Sequence, residues 1–406
     1  MYVHPSHLRL ANRRRLSALL LAEGPATRAD LARRLGLSVV TAGKVADELS
    51  AEGLIEESDE PAPTSAGVPA PPLGRPARRL KLVAGPRYAA VEIGVGETSV
   101  SAVGLDGTSY GIRSFRTPAG TKPFLADFRR AFAALVRETG DPPSAVLVSV
   151  PGVVDEDAER IVFSPNLHWT EGTALLPALG RVAAAPVVAV QEVRALALGL
   201  VASGDASEAF LLLEFGDGVG GAVVVGDAAV GGAGRIPLIG EIGHTRVPDN
   251  VRRCGCGGTG CLETLANRAG LLRSCRTALR RPRLDWDGLR AHVREHGIAS
   301  WLAAAVDAVA LIAAGAVNLL GIRDVVVMGD LPELGPDVVS MLAERLRRHA
   351  LPARFGALSC RAAPRRRLLG LAAAAMDRLL LPAPSFAADR ASSFPTGRKP
   401  AERASI

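Results

Sequence analysis

The sequence predicts an α/β protein preceded by a winged helix-turn-helix module. Two patterns carry this. Over the first 82 residues, apolar positions recur at helical spacing, a glycine-containing turn joins two capped helices, and an apolar pair opens a strand. From about Pro86 onward, short apolar runs of strand character alternate with helical stretches. A chain of 406 residues is long enough for two or three domains and a large core.

The first helix carries Leu8, Leu16, Leu19 and Leu20 on its apolar face, with Arg13, Arg14 and Arg15 largely elsewhere. Thr27 suits the cap of a second helix and Asp30 the capping-box position, where Glu or Gln is more usual. That helix turns Leu31, Ala32 and Leu35 inward. Gly36 ends it by tolerating a left-handed conformation, and Leu37 plugs the turn. Ser38 caps a third helix with Val45, Ala46 and Leu49 inward; Gly53 ends it and Leu54-Ile55 starts a strand. In a winged helix-turn-helix the amino-terminal end of the third helix enters the DNA major groove. Val39 and Ala42 are then candidates for thymine methyls, and Ser38, Thr41 and Lys44 for phosphates or base edges. Arg75 and Arg78, on the wing, are candidates for the DNA backbone or minor groove. The plain alternative is a helical dimerisation module with solvated charges. Residues 56 to 74 are acidic, then rich in proline, alanine and serine, and read as a flexible wing tip or linker. A second wing strand is expected over Arg79 to Val83.

Beyond Pro86, strands are expected at Tyr88–Val95, Val100–Leu105, Ala145–Val150, Val187–Val190, Phe210–Phe215, Ala222–Val225 and Asp324–Met328. Helices are expected at Phe124–Thr139, Arg194–Ala202 and Trp301–Leu320. Two strand hairpins, each followed by helices, suit two similar lobes around a cleft. Trp301–Leu320 is the nearest approach to a membrane span, but Asp307 and Asn318 interrupt it and alanine dominates, so a buried core helix is expected. Residues 381 to 406 lack periodicity and read as a disordered tail.

The start shows no basic-then-apolar leader, so a cytoplasmic chain with no membrane partner is expected. Net charge is +7, which suits a polyanion partner without proving one; only four of the 48 basic residues are lysine. Five cysteines, an odd number, argue against a disulfide framework. Three of them cluster. His244, Cys254, Cys256 and Cys261 form a Cys3His set, the ligand count of a closed tetrahedral structural zinc site. The intervening glycines let the backbone turn tightly enough for three thiolates to converge.

The same stretch, Gly240-Glu241-Ile242-Gly243-His244 followed by Cys254-Gly-Cys256-Gly-Gly-Thr-Gly-Cys261-Leu262-Glu263, resembles the signature of the ROK family of sugar kinases and sugar-responsive repressors. Pro151-Gly152-Val153-Val154-Asp155 and Ser164-Pro165-Asn166-Leu167 with Trp169 resemble two further family segments, in the same order. Gly74-Arg75-Pro76 before a strand resembles the amino-terminal module of the family's repressors. The resemblance covers about residues 86 to 380. It implies an actin-like, ribonuclease-H-like two-lobed sugar-kinase fold, with domains at 1–82 and 86–380.

Phosphoryl transfer requires phosphate-cradling turns, Mg²⁺ and a base for the sugar hydroxyl. This chain departs from the family at each. The first turn, Asp-x-Gly-Gly-Thr in the kinases, reads Glu92-Ile93-Gly94-Val95-Gly96-Glu97-Thr98. The second reads Gly216-Asp217-Gly218-Val219-Gly220-Gly221, with Asp217 replacing a hydroxyl donor. A carboxylate beside a phosphate costs about 4 kcal/mol at 4 Å if the effective dielectric is near 20, which Mg²⁺ would soften. The adenosine-side turn is Met328-Gly329-Asp330, where consecutive glycines are usual. Glu192 stands where the kinases carry an Asp base; a displacement of about 1 Å can cost on the order of 100-fold. Glu192 is thus a catalytic candidate, a sugar contact, or half of an ion pair with Arg194.

The sugar side is closer to the family. Asn166, Glu192, Glu241, His244 and Glu263 fall at positions resembling its sugar contacts, and a carboxylate can accept two hydroxyl donors. Glu241 and His244, three apart, share a site if the segment is helical. His244 can use one ring nitrogen on zinc and the other on a ligand, or serve the metal alone. Asn166 is a turn residue after Pro165 or a ligand contact.

These features imply a ROK-type regulator, acting on a double-stranded DNA operator as a homodimer or homotetramer, with structural zinc and a sugar or sugar-phosphate effector. ATP and Mg²⁺ are not expected. The main alternative is an ATP-dependent sugar kinase that keeps a DNA-binding module, and a third is a DNA-binding or assembly protein with a vestigial pocket.

Overall fold

A computed structural model describes residues 5–58, 78–156, 158–226 and 236–380. Most of the expected wing tip, Arg75, and the expected tail at 381–406 lie outside the described residues.

The amino-terminal module comprises α1 (Pro5–Glu23), β1 (Ala26–Thr27), α2 (Arg28–Leu35), α3 (Val39–Ala51), β2 (Ile55–Ser58) and β3 (Arg79–Leu82). Local chemistry sets its boundaries. Thr27 accepts from the Asp30 amide at 3.1 Å and its hydroxyl donates to the Asp30 carboxylate at 2.8 Å. Ser38 accepts from the Thr41 amide at 3.0 Å. Gly36 and Gly53 take positive φ, 65° and 66°, where L side chains are strained. Leu16, Leu20, Leu31, Leu35, Val45, Ala46 and Leu49 form the core. Leu8, expected inside, is 53% exposed, while Leu10 packs against the core and Arg9 pairs with Glu48 of α3. Ala42, a candidate for DNA contact, is 1% exposed. It heads the inward stripe Ala42, Val45, Ala46, Leu49, so its methyl faces the core and not a base. β3 pairs antiparallel with both β2 and the unexpected β1 to make the wing sheet.

The first lobe holds β4 (Tyr88–Ile93), β5 (Glu97–Val103), β6 (Ser109–Arg116), α4 (Thr121–Thr139), β7 (Ala145–Val150), β8 (Val153–Asp155), β9 (Arg160–Phe163), α5 (Leu175–Ala183), β10 (Val187–Gln191) and α6 (Glu192–Ala202). The second holds β11 (Ala209–Phe215), β12 (Val219–Val225), β13 (Ile236–Gly240), α7 (Glu263–Ala266), α8 (Arg268–Leu279), α9 (Trp286–His296), α10 (Ser300–Leu320), β14 (Asp324–Gly329), α11 (Asp330–Glu333), α12 (Pro336–His349) and β15 (Ser359–Ala362). A last helix, α13 (Arg367–Ala375), returns to the first lobe.

The two lobes repeat one topology. The sheet orders are β10-β7-β4-β5-β6 and β13-β12-β11-β14-β15. In each, a three-stranded antiparallel meander is extended by two parallel strands. This is the two-lobed α/β layout that the motifs imply. α10 is long and apolar enough by length and composition to cross a membrane, yet half of its most apolar window is buried within the protein. Its inward face, from Leu302 to Val317, packs in the second-lobe core with α8 and α12 residues.

α6 and α13 lie between these units. α6 buries Val193, Leu196 and Leu200 against Phe210, Leu212 and Met328 of the second sheet. α13 buries Leu371 and Ala374 in a cluster that also holds Tyr88 and Val188 of the first lobe and Leu16 and Leu20 of the amino-terminal module. The two helices cross at glycines: a Cβ at Gly370 would lie 1.7 Å from the Ala195 carbonyl, and one at Gly199 2.1 Å from that of Arg366. No side chain fits that crossing.

Candidate functional site

The cleft between the lobes encloses about 500 Å³. Asn166, Glu192, Glu241, His244 and Glu263, the five expected sugar contacts, all line it. Gly152 makes part of its wall possible: φ is 104°, and a Cβ would strike the Phe163 carbonyl at 2.3 Å, so the 151–152 turn closes onto the strand leading to Asn166. Ser164 locks the same corner by donating to the Pro151 carbonyl at 2.8 Å. Asn166 is exposed toward the cleft.

Glu241 and His244 flank a 3₁₀ turn, Ile242–His244, which brings Glu241 Oε2 to 3.8 Å from His244 Nε2. Gly243 allows the turn to press on β12, since a Cβ there would sit 2.1 Å from the Val219 carbonyl. The other ring nitrogen, Nδ1, faces Cys254 Sγ at 3.5 Å. Cys256 and Cys261 sulfurs are 3.7 Å apart, and the four donor atoms lie within 4.8 Å of one another. A tetrahedral zinc centre with its usual bond lengths has S···S edges of about 3.8 Å and N···S edges of about 3.6 Å. The donors therefore fit a metal ion of that size. Gly257 and Gly260, at φ of 88° and 83°, provide the reversals that gather the three thiols. Burial pushes the Cys254 thiol up to about 12, so a thiolate there needs a cation beside it.

Glu263 joins the metal centre to the second glycine turn. It is 6% exposed, accepts from the Val219 amide at 3.0 Å, and has its other oxygen 3.8 Å from Cys254 Sγ. Gly218 leaves room for it; a Cβ would meet Glu263 Oε2 at 2.9 Å.

The other half of the cleft is filled with ion pairs that sequence reasoning missed. Arg367 donates to Glu192 and, at 3.2 Å, to Glu92. The proposed partner of Glu192, Arg194, is instead 3.5 Å from Glu156; it sits two residues along α6, facing the other way. Arg365 grips Glu214 through Nε at 3.1 Å and Nη2 at 2.7 Å, and also donates to the Phe215 carbonyl. Arg268 binds Asp330 through two nitrogens, at 2.8 and 2.9 Å. Gly329, with φ of 91°, leaves no space for a Cβ, which would lie 2.1 Å from the Phe215 carbonyl. The only advance signal for two of these arginines was the run Pro364-Arg365-Arg366-Arg367, which reads as surface charge.

The first glycine turn is turned inward too. Thr98 hydrogen-bonds Thr117 at 2.9 Å, and Thr117 donates to the Gly94 carbonyl at 2.7 Å. Val95, on this turn, and Asp217, on the other lobe's turn, both line the cleft. Partial burial raises the Asp217 carboxyl, Arg268 opposing and the charges of Asp330 and Glu192 adding. Burial likewise pushes Glu214 up to about 7, with Glu192 adding and Arg365 opposing.

On the amino-terminal module, Val39 and Val40 are 61% and 68% exposed at the start of α3, and Ser38 and Lys44 are exposed beside them. Thr41 is half-buried, its hydroxyl 2.8 Å from that of Ser38. Val40 was not among the expected contacts, although helical spacing places it over Lys44. Arg78 pairs with Glu57 across the wing sheet.

Comparison with known proteins adds to this geometry. A model of the ROK family matches residues 88–373. N-acetylmannosamine kinase of Escherichia coli O157:H7 is 30% identical over 185 residues, 45% of this chain. That match spans 62% of the kinase's own length, less than two thirds. A solved ROK family transcriptional regulator, a homologue of the E. coli MLC protein, has a TM-score of 0.71 at 19% identity, covering 91% of this chain and 97% of that one. A ROK family glucokinase from Streptomyces griseus, solved with glucose and AMPPNP, has a TM-score of 0.59 at 20% identity, covering 70% and 97%. At such identities these structures speak for the fold, which in the regulator's case extends over nearly the whole chain. With the family model spanning both lobes, the chain belongs to the ROK family.

Proposed function

We propose that this chain is a DNA-binding transcriptional regulator whose cleft senses a sugar and does not transfer phosphate. The observation that carries the reading is the Arg367 bridge. Its guanidinium neutralises both Glu92 and Glu192, the acids that stand where a kinase keeps its first phosphate turn and its base. Asp217 and Asp330 occupy the remaining phosphate and adenosine turns. On the sugar side, Glu241 lines the cleft with its side chain half exposed and can accept hydroxyls. α3 offers Val39, Val40 and Lys44 from a rigid capped frame, as a major-groove reader requires.

His244, Cys254, Cys256 and Cys261 would hold one structural zinc, fixing His244 and, through Glu263, the second glycine turn. We expect a cytoplasmic homodimer or homotetramer, because operators are read by two-fold assemblies. Selection of bound fragments from random DNA, with and without a hexose panel, tests the reading. The second reading, an ATP-dependent sugar kinase, is favoured by the likeness to N-acetylmannosamine kinase. Purified protein with ATP, Mg²⁺ and the same panel decides between them: phosphorylated sugar at catalytic rates would replace the regulator reading.

A further inference from the structure

We propose that the cleft takes an unphosphorylated saccharide, neutral or amino-bearing, and rejects the phosphate esters of the same sugars. This rests on the sugar-sensing reading and decides the phosphorylation state of its effector.

Among the described residues, seven carboxylate side chains and three guanidiniums line the cleft. The charge of each guanidinium is already balanced by a carboxylate. Arg268 spends two donors on Asp330, Arg365 is held by Glu214 and a carbonyl, and Arg367 spans Glu92 and Glu192. A phosphate drawn to one of them would compete with the carboxylate already paired there, and Glu214 and Asp330 are 5% and 0% exposed. Weakening the pairing of so buried a carboxylate is costly.

A backbone donor of the second turn is committed in the same way. In a phosphate-binding cleft of this layout, amides of the two glycine turns face the anion. Here the Val219 amide donates to Glu263, and Asp217 lines the cleft from the second turn, opposite Val95 of the first. Asp217 therefore places, from the protein's own chain, a carboxylate on the turn that would face a phosphate. A second anion would meet Asp217 and Glu192 together. A phosphate ester carries a charge of about −1.5 to −2 near pH 7, whereas a free hydroxyl donates to a carboxylate and an ammonium is attracted to it.

Calorimetric titration of full-length protein with matched series tests this: glucose, glucosamine and glucose 6-phosphate, then mannose, mannosamine and mannose 6-phosphate. For the series that binds, the ester should be weaker than its parent by at least about tenfold, as like-charge juxtaposition dictates. The gap should narrow between roughly 50 and 500 mM salt, as screening shortens the reach of the repulsion. Asp217→Asn should also narrow the ratio of parent to ester affinity, whatever it does to either alone. An ester that binds as tightly as its parent, or a ratio unmoved by Asp217→Asn, overturns the proposal while leaving sugar sensing intact. If no member of either series binds, the sugar-sensing reading falls and this proposal with it.

Discussion

Arg367 and Glu192 stand at the first positions of α13 and α6, and the guanidinium of one donates to the carboxylate of the other. The contact joins the cleft to the helix that carries its geometry outward. Just past α13, Asp377 lies 2.9 Å from Arg14 of α1, and Met376 shares a buried cluster with Leu16 and Leu20. A ligand that competes for Glu192 therefore acts on an element already packed against the amino-terminal module.

Arg367→Ala should lower stability by roughly 2–4 kcal/mol, because it leaves Glu92 and Glu192 near one another without their cation. Arg367→Lys should recover only part of this, since one ammonium cannot span both acids as a planar fork does. Urea unfolding of the three proteins measures it. Wild-type stability in Arg367→Ala would show that the bridge is ornamental.

Metal analysis should find close to one zinc per chain. Cys256→Ser should lose it and melt at a lower temperature, because metal binding contributes directly to folding. Glu263→Gln should keep the metal while losing the charge on the acceptor of the Val219 amide. Metal-free wild type with an unchanged melting temperature would refute a structural role.

Glu214 predicts a pH signature. Its carboxyl is pushed up to about 7 from an ordinary 4.5, chiefly by burial. The folded state thus binds the proton more tightly than the unfolded chain. The associated stability is fully present below about 4.5 and is lost as pH rises toward 7. Glu214→Gln cannot ionise, so the difference in melting temperature, variant minus wild type, should rise across this window and level off above it. A flat difference would place the Glu214 carboxyl in the ordinary range.

Much of this was legible because the chain states it locally. β7 reads as Ala145–Val150 from its unbroken apolar run, and the caps at Thr27 and Ser38 follow from hydroxyls placed before helical patterns. The metal ligands lie within 18 residues in a stretch that needs little tertiary help. The ion-pair lattice was not legible, because its partners are far apart: Arg367 meets Glu92 across 275 positions, and only the return of α13 brings them together. β6 was missed because Ser109–Arg116 is a lobe-edge strand with no fully buried residue, its open face mixing Tyr110 and Ile112 with Ser114 and Arg116. Ala42 was a different kind of error. The stripe at 42, 45, 46 and 49 has core spacing, and its first member was assigned outward.

On α3, Lys44→Ala should weaken binding to all DNA sequences alike and reduce the salt slope by about 1, the signature of a lost phosphate contact. Val40→Ala should act on sequence preference, because an exposed methyl pair in the groove reads thymine methyls. Fluorescence titrations at several salt concentrations, on the selected operator and a scrambled one, separate the two. Equal losses on both DNAs for Val40→Ala would remove it from base readout.

Glu241 offers the cleanest test of coupling. It lines the cleft at the 3₁₀ turn, its side chain is 50% exposed, and it faces His244 at 3.8 Å, so changing it should not unfold the protein. Glu241→Gln keeps the shape and removes a charged acceptor. A hydrogen bond to a charged group contributes roughly 1.5–3 kcal/mol when buried, and solvent reduces that here to about 1–2 kcal/mol. The sugar concentration needed for half-response should therefore rise roughly 5- to 30-fold. The operator affinity without sugar should stay at the wild-type value, because Glu241 lies far from α3 in the fold. At saturating sugar both proteins should reach the same DNA affinity, since the shift depends on the difference in ligand affinity between two states, typically about 1–3 kcal/mol, or 5- to 150-fold. Operator titrations at graded sugar resolve all three quantities. A variant with the same half-response as wild type would exclude Glu241 from the sugar, whereas a changed plateau would mean that the residue sets the conformational equilibrium itself.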